Sequence, residues 1–97
     1  MRIQVDHSQL AQFCQRTGIR RLAFFGSVLR DDFGPDSDVD VLVEFEPGVK
    51  VGLLRMAVLE SELSEIIGRR VDLRTAADLS RYFRDRVVAE AEVQYAA

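Results

Sequence analysis

Two short clusters in this chain have the residue types and spacing of a metal-assisted phosphate site. Gly26 and Ser27 close one apolar run; after ten intervening residues, Asp38 and Asp40 open another, Val39–Phe45. Successive side chains on a strand alternate faces, so Asp38 and Asp40 share one face while Val39, Val41 and Val43 take the other. Mg²⁺ prefers oxygen ligands and keeps water, so one or two carboxylates plus substrate phosphates complete its shell. In two-metal sites the ions stand ~3.5–4 Å apart, close enough for one carboxylate to bridge them. Gly26 has no Cβ to hold the backbone away from a phosphate. Ser27 adds a hydroxyl and can open a short helix whose free N–H groups attract anions. The chemistry implied is the binding of a nucleoside triphosphate with magnesium at neighbouring strand ends.

Either cluster alone has an ordinary explanation: Asp-Val-Asp can be a solvated strand edge, and Gly-Ser a plain turn. Their order and strand-turn context make the combination more specific. Asp72, in Val71-Asp72-Leu73, admits two readings that spacing does not separate. It can join Asp38 and Asp40 as a third carboxylate, or it can pair with Arg69, Arg70 or Arg74. Arg30 and Lys50 are candidates to neutralise phosphate charge, and Arg30 is better placed, one turn after Ser27. Glu44 shares the face of Asp38 and Asp40 further along the strand and reads as solvated or ion-paired. His7 reads as exposed and inert. No serine or threonine has a histidine partner, so a nucleophilic triad is not supported.

The elements that must position these residues follow from periodicity and turn residues. Ser8 is expected to cap a first helix with Leu10, Phe13 and Cys14 on its apolar stripe, ending near Gly18. Residues 21–25 read as a short strand, 27–31 as a helical turn, 33–37 as a loop, and Val39–Phe45 as the clearest strand. Residues 51–67 read as a helix with Leu53, Met56, Leu59, Leu63 and Ile66 at three-to-four spacing, closed by Gly68. Residues 70–74 form a third strand. Thr75, with Asp78 three residues on, is expected to cap a last helix running to about Tyr95 and burying Leu79, Phe83, Val87 and Ala91. The fold class is α/β (α+β): a small mixed sheet with helices packed on it, in the order α-β-(α)-β-α-β-α.

The 97 residues, 47% apolar and 30% charged, fit a single globular domain spanning 1–97. No apolar run reaches membrane-spanning length and the N-terminus lacks a signal-peptide core, so a cytoplasmic location is expected. The single Cys14 excludes an internal disulfide, fits a reducing compartment, and reads as a core thiol. A net charge of −3 argues against general nucleic-acid binding. Residues 31–46 carry seven acids and no base, a cluster that repels itself unless cations fill it. Residues 69–86 carry six arginines and three acids, which reads as a solvated helix face.

With these residues in view, the chain resembles the minimal nucleotidyltransferases of the DNA polymerase β superfamily. Their motif is Gly-Ser, ten residues, then Asp-x-Asp, matched here by Gly26-Ser27 and Asp38-Val39-Asp40. Arg30 falls on the arginine of Gly-Ser-x-x-Arg, and Pro35-Asp36-Ser37 matches the approach to the aspartates. Val71-Asp72-Leu73 matches the later Val-Asp-Leu that carries the third carboxylate. Arg84-Asp85-Arg86-Val87 and Glu90-Ala91 extend the likeness through the tail. Departures are Val28 after Gly-Ser and Asp31 after the arginine; Asp31 and Asp32 add negative charge near the phosphate site. The resemblance implies a nucleotidyltransferase fold. It implies catalytic and metal-binding roles for Asp38, Asp40 and Asp72, with Gly26, Ser27 and Arg30 on the nucleotide. It implies Mg²⁺ or Mn²⁺ with ATP as substrate. It further implies an antitoxin that adenylylates a tyrosine of a partner HEPN-domain ribonuclease toxin, in a hetero-oligomer, with no direct nucleic-acid or membrane binding. The alternative is a non-catalytic antitoxin that neutralises by binding alone. Modification of antibiotics is disfavoured by length, since no acceptor domain is present.

Overall fold

The structure, a computed structural model, describes residues 3–30 and 33–97. Asp31 and Asp32, the acids noted beside the phosphate site, and the end of the 27–31 turn lie outside the described residues. The elements are α1 (His7–Thr17), β1 (Ile19–Phe25), a 3-10 turn (Gly26–Leu29), β2 (Val39–Phe45), α2 (Leu53–Ile67) and β3 (Val71–Arg74). A second 3-10 turn (Ala76–Asp78), α3 (Arg84–Glu90) and β4 (Glu92–Ala96) complete the chain. The strands form one mixed sheet in the order β3-β2-β1-β4. β1 runs antiparallel to β2 and β4, and β3 runs parallel to β2. The expected small mixed sheet with packed helices is present.

One face of the sheet carries the core. Val39, Val41 and Val43 of β2 and Leu22 and Phe24 of β1 are buried there with Leu10, Phe13 and Cys14 of α1 and Leu59, Leu63 and Ile67 of α2. Burying a Leu or Phe side chain fully contributes roughly 1.5–3 kcal/mol, so these contacts hold both helices to the sheet. The helix starts differ from expectation. Asp6, not Ser8, caps α1, its carboxylate accepting from the Gln9 amide at 3.1 Å. An Asp cap also places negative charge at the helix N-terminus, where the peptide dipoles favour it. α2 begins two residues later than expected, with Gly52 as its cap. Leu53 therefore stands in the first turn and is 90% exposed rather than on the buried stripe. Gly68 closes α2 in the left-handed conformation, φ +77°, as its position suggested.

The C-terminal quarter departs most. The Thr75–Asp78 capping box forms, but it closes only the 3-10 turn. Leu79 is extended, and Arg84 Nη2 donates to its carbonyl at 2.9 Å, so the chain turns before α3 starts. Leu79 is buried as expected; Phe83 is half-exposed, and Val87 and Ala91 are only partly covered. The residues expected to end the last helix form β4 instead, paired to β1 with Leu22 opposite Tyr95. Among the described residues no helix is long and apolar enough to cross a membrane.

Candidate active site

The second face of the sheet carries the polar residues. In register, Phe25 faces Asp40 across β1 and β2, and Asp40 faces Asp72 across β2 and β3. Ala23 faces Leu42, which faces Arg74, and Arg21 faces Glu44. Side chains opposite one another in neighbouring strands stand on the same face. Asp40 and Asp72 are thus side-by-side neighbours, and Asp38 enters from the loop just before β2.

The Gly26–Leu29 turn packs onto Asp40. Gly26 has φ +72°, and a β-carbon there would collide with Asp40 Oδ2 and stand 3.2 Å from its Cγ. Only glycine meets both demands without strain. The Ser27 amide donates to the Asp40 carboxylate, and Ser27 Oγ donates to the Asp38 carbonyl at 3.3 Å. Both Ser27 donors therefore serve the aspartate segment, where sequence reasoning had assigned them to phosphate. Arg30, exposed, ends the turn with its amide donating to the Ser27 carbonyl at 3.0 Å. Lys50 lies beyond the opposite end of β2 from Asp40, on the order of 17 Å along the strand direction at ~3.3 Å per residue, which removes it from this group. Glu44 pairs with Arg20 at 3.6 Å, in keeping with an ion-paired role.

Burial pushes the Asp40 carboxyl above its ordinary value, and the Asp72 charge adds to the rise. The Ser27 amide opposes it, Asp38 reinforces it, and Arg74 opposes it. The rise comes first from burial and second from the neighbouring acids. Asp72 also realises its other reading: Arg74 Nε and Nη2 donate to its two oxygens at 3.1 and 3.2 Å. Asp38 stands 3.9 Å from Arg70. Among the described residues no three carboxylate, imidazole or thiol groups close as a ready metal cage. A hard ion that draws one or two carboxylates and completes its shell with phosphate and water does not need one. Asp38 and Asp40 fit that demand by donor type.

Sequence reasoning offered Arg69 only as a partner for Asp72 and missed its role on the Asp38 loop. Its Nη2 donates to the Gly34 and Ser37 carbonyls at 2.6 and 2.9 Å, and its guanidinium lies over the Phe33 ring, 4.6 Å from the centroid. Ser37 Oγ accepts from the Gly34 amide, and the Val39 amide donates to the Arg70 carbonyl at 2.8 Å. Arg69 thereby fastens the loop that delivers Asp38 to the strand carrying Asp72. An Arg-Arg pair before Val-Asp-Leu was the only sequence signal. Beyond Asp40 the same face opens into an apolar cavity of about 360 Å³ between Ala23 and Leu42 on the floor and Ala76, Val88 and Ala91 above.

The sheet, the Gly-Ser turn and the aspartates on one face define a nucleotidyltransferase. Residues 7–95 match the family described as "Nucleotidyltransferase domain", and the chain belongs to it. Within that family it resembles the minimal nucleotidyltransferases. It is 38% identical over 76 residues to the protein adenylyltransferase MntA of Thermococcus cleftensis, covering 78% of this chain and 75% of that one. It is also 38% identical, over 74 residues, to a Methanocaldococcus jannaschii protein assigned as a protein adenylyltransferase, covering 76% and 77%. A solved structure assigned as a minimal nucleotidyltransferase aligns with a TM-score of 0.70 at 38% identity, over 88% of this chain and 85% of that one. A crystal structure of a toxin-antitoxin with AMP-PNP shares the fold, with a TM-score of 0.74 at 16% identity, over 96% and 75%.

Proposed function

We propose that this chain is a cytoplasmic protein adenylyltransferase antitoxin, using ATP with Mg²⁺ or Mn²⁺ to transfer AMP to a tyrosine hydroxyl of a partner HEPN ribonuclease toxin. The observation that carries the reading is the placement of Asp40 between the Gly26-Ser27 turn and Asp72. The names of the relatives, a protein adenylyltransferase and a toxin-antitoxin bound to AMP-PNP, support the substrate and the partner.

Asp38, Asp40 and Asp72 would hold the metal, which when bound polarises the phosphate and offsets the charge on the leaving pyrophosphate. Gly26 and Ser27 set Asp40 in place and border the phosphate path, and Arg30 offers a guanidinium to the negative charge that grows on the departing group. The acceptor oxygen bonds to the α-phosphorus while the bond from that phosphorus to the pyrophosphate oxygen breaks. Asp72 takes the acceptor proton, and pyrophosphate leaves. The hydroxyl arrives on the partner in a hetero-oligomer; membrane and nucleic acid play no direct part.

The reading is tested by incubating the chain and its toxin with ATP labelled at the α-phosphate and Mg²⁺. Label should pass to the toxin, and the Asp38→Asn/Asp40→Asn variant should abolish it. Label transfer undiminished in that variant would reject the site.

A further inference from the structure

Asp72 has two partners that cannot both keep it. It stands in register with Asp40, on the face where the nucleotide is proposed to bind, and both of its oxygens accept from Arg74. Arg74 is two residues further along β3, hence on the same face, opposite Leu42. Its guanidinium reaches back towards the site and also lies in the field of Asp78 and Asp40. The forked contact engages both oxygens, so an incoming cation must compete with the guanidinium for the carboxylate.

We infer that Arg74 is a positioning residue that occupies Asp72 in the nucleotide-free protein and releases it when metal and nucleotide arrive together. The inference rests on the nucleotidyl-transfer reading and assigns regulation of the same site. The Arg74–Asp72 pair is part-exposed, 47% and 38% for the two side chains, so its strength is that of a surface pair. Such a pair is worth up to about a fivefold factor in a competing equilibrium. Repulsion between the guanidinium and a divalent ion adds to that factor, because the two compete for the same carboxylate. The free protein is thereby kept from filling its site with metal alone. The triphosphate changes the balance: its negative charge gives the displaced guanidinium a new partner on the same face, so the ion can take Asp72 while Arg74 keeps a counter-charge. Metal binding and nucleotide binding become coupled through one arginine.

The test measures Mn²⁺ binding by electron paramagnetic resonance and calorimetry, with and without a non-hydrolysable ATP analogue, for the wild type, Arg74→Gln and Arg74→Lys. Without nucleotide, Arg74→Gln should bind Mn²⁺ about three- to tenfold more tightly. Arg74→Lys should fall between, since lysine keeps the charge but loses the fork. With the analogue present the advantage of Arg74→Gln should vanish or reverse. In an Asp72→Asn background the same substitution should tighten Mn²⁺ binding less than it does in the wild type. Equal or weaker nucleotide-free Mn²⁺ binding by Arg74→Gln, with wild-type binding intact, would overturn the role of Arg74 and leave nucleotidyl transfer standing. Absence of Mn²⁺ binding in all three proteins, with and without the analogue, would overturn both.

Discussion

Gly26 and Asp40 are packed so tightly that a β-carbon on Gly26 would run into Asp40 Oδ2, and Gly26 holds φ +72° to make the approach. The glycine of the Gly-Ser pair therefore serves the carboxylate directly. Gly26→Ala faces both a left-handed backbone penalty and a collision at the end of the Asp40 side chain. It should lower stability by about 1–3 kcal/mol in thermal or urea unfolding. The Asp40 side chain must also turn away, so metal-dependent ATP binding by calorimetry should weaken at least tenfold.

The Asp38–Asp40–Asp72 group is repulsive, and the sign of that repulsion can be read in stability against pH. Burial and the neighbouring acids raise the Asp40 carboxyl in the folded chain above its unfolded value of 3.8. The folded state thus binds protons more readily than the unfolded state. Its stability falls as pH rises through the window between those two values, and ionised Asp40 is a burden at neutral pH. Asp40→Asn should raise the melting temperature at pH 7 without metal, with the gain shrinking as pH drops towards 4. Added Mg²⁺ and ATP should stabilise the wild type and leave the Asp38→Asn/Asp40→Asn variant unmoved. A melting temperature that falls at pH 7 in Asp40→Asn would contradict this account of the charge.

Arg69 joins the Asp38 loop to the start of β3 through two carbonyls and the Phe33 ring. Arg69→Ala removes charge-assisted hydrogen bonds from a part-buried site, a loss of about 1.5–3 kcal/mol per such bond at most. Hydrogen exchange should speed up at Gly34 and Ser37 more than at the β1 amides. Arg69→Lys should rescue only part of the protection, because an ammonium can bond the two carbonyls, as Nη2 does, but has no planar group to stack on the Phe33 ring.

β2 was legible because alternate valines leave one arrangement that buries Val39, Val41 and Val43 together, and that arrangement forces Asp40 to the other face. The C-terminal region was misread because Leu79, Phe83, Val87 and Ala91 recur every four residues, a helical signal. The break at Leu79 depends on a carbonyl taken by Arg84, and β4 depends on an edge of β1 that is distant in sequence. Glu92-Val93-Gln94-Tyr95 does alternate, but four residues at that period are a weak signal beside the longer one. Asp72 could not be decided between carboxylate site and ion pair because each has a neighbour behind it: parallel register sets it beside Asp40, and the strand period brings Arg74 to its side. Arginine partners are chosen by tertiary placement, so spacing named Arg69, Arg70 and Arg74 together as partners for Asp72 without singling out Arg74, and it gave no sign that Arg69 fastens the Asp38 loop.

Cys14 offers a check on the core. The thiol is buried, and burial pushes its pKa up to about 12. Only the thiolate reacts with alkylating or disulfide reagents. In the folded protein at pH 8, Cys14 should be modified by such a reagent orders of magnitude more slowly than in urea. Rapid native labelling followed by mass spectrometry would mean that α1 does not seal against the sheet.

The most direct test of the central claim is the mass of the partner toxin after reaction. Incubated with this chain, ATP and Mg²⁺ and then separated from it, the toxin should carry AMP on a tyrosine, and its ribonuclease activity should stay low, because a covalent change survives separation. With the Asp38→Asn/Asp40→Asn variant, the toxin should stay unmodified and recover full activity. A toxin that is fully neutralised yet carries no adduct, and that regains activity once this chain is removed, would contradict the enzymatic account and establish neutralisation by binding alone.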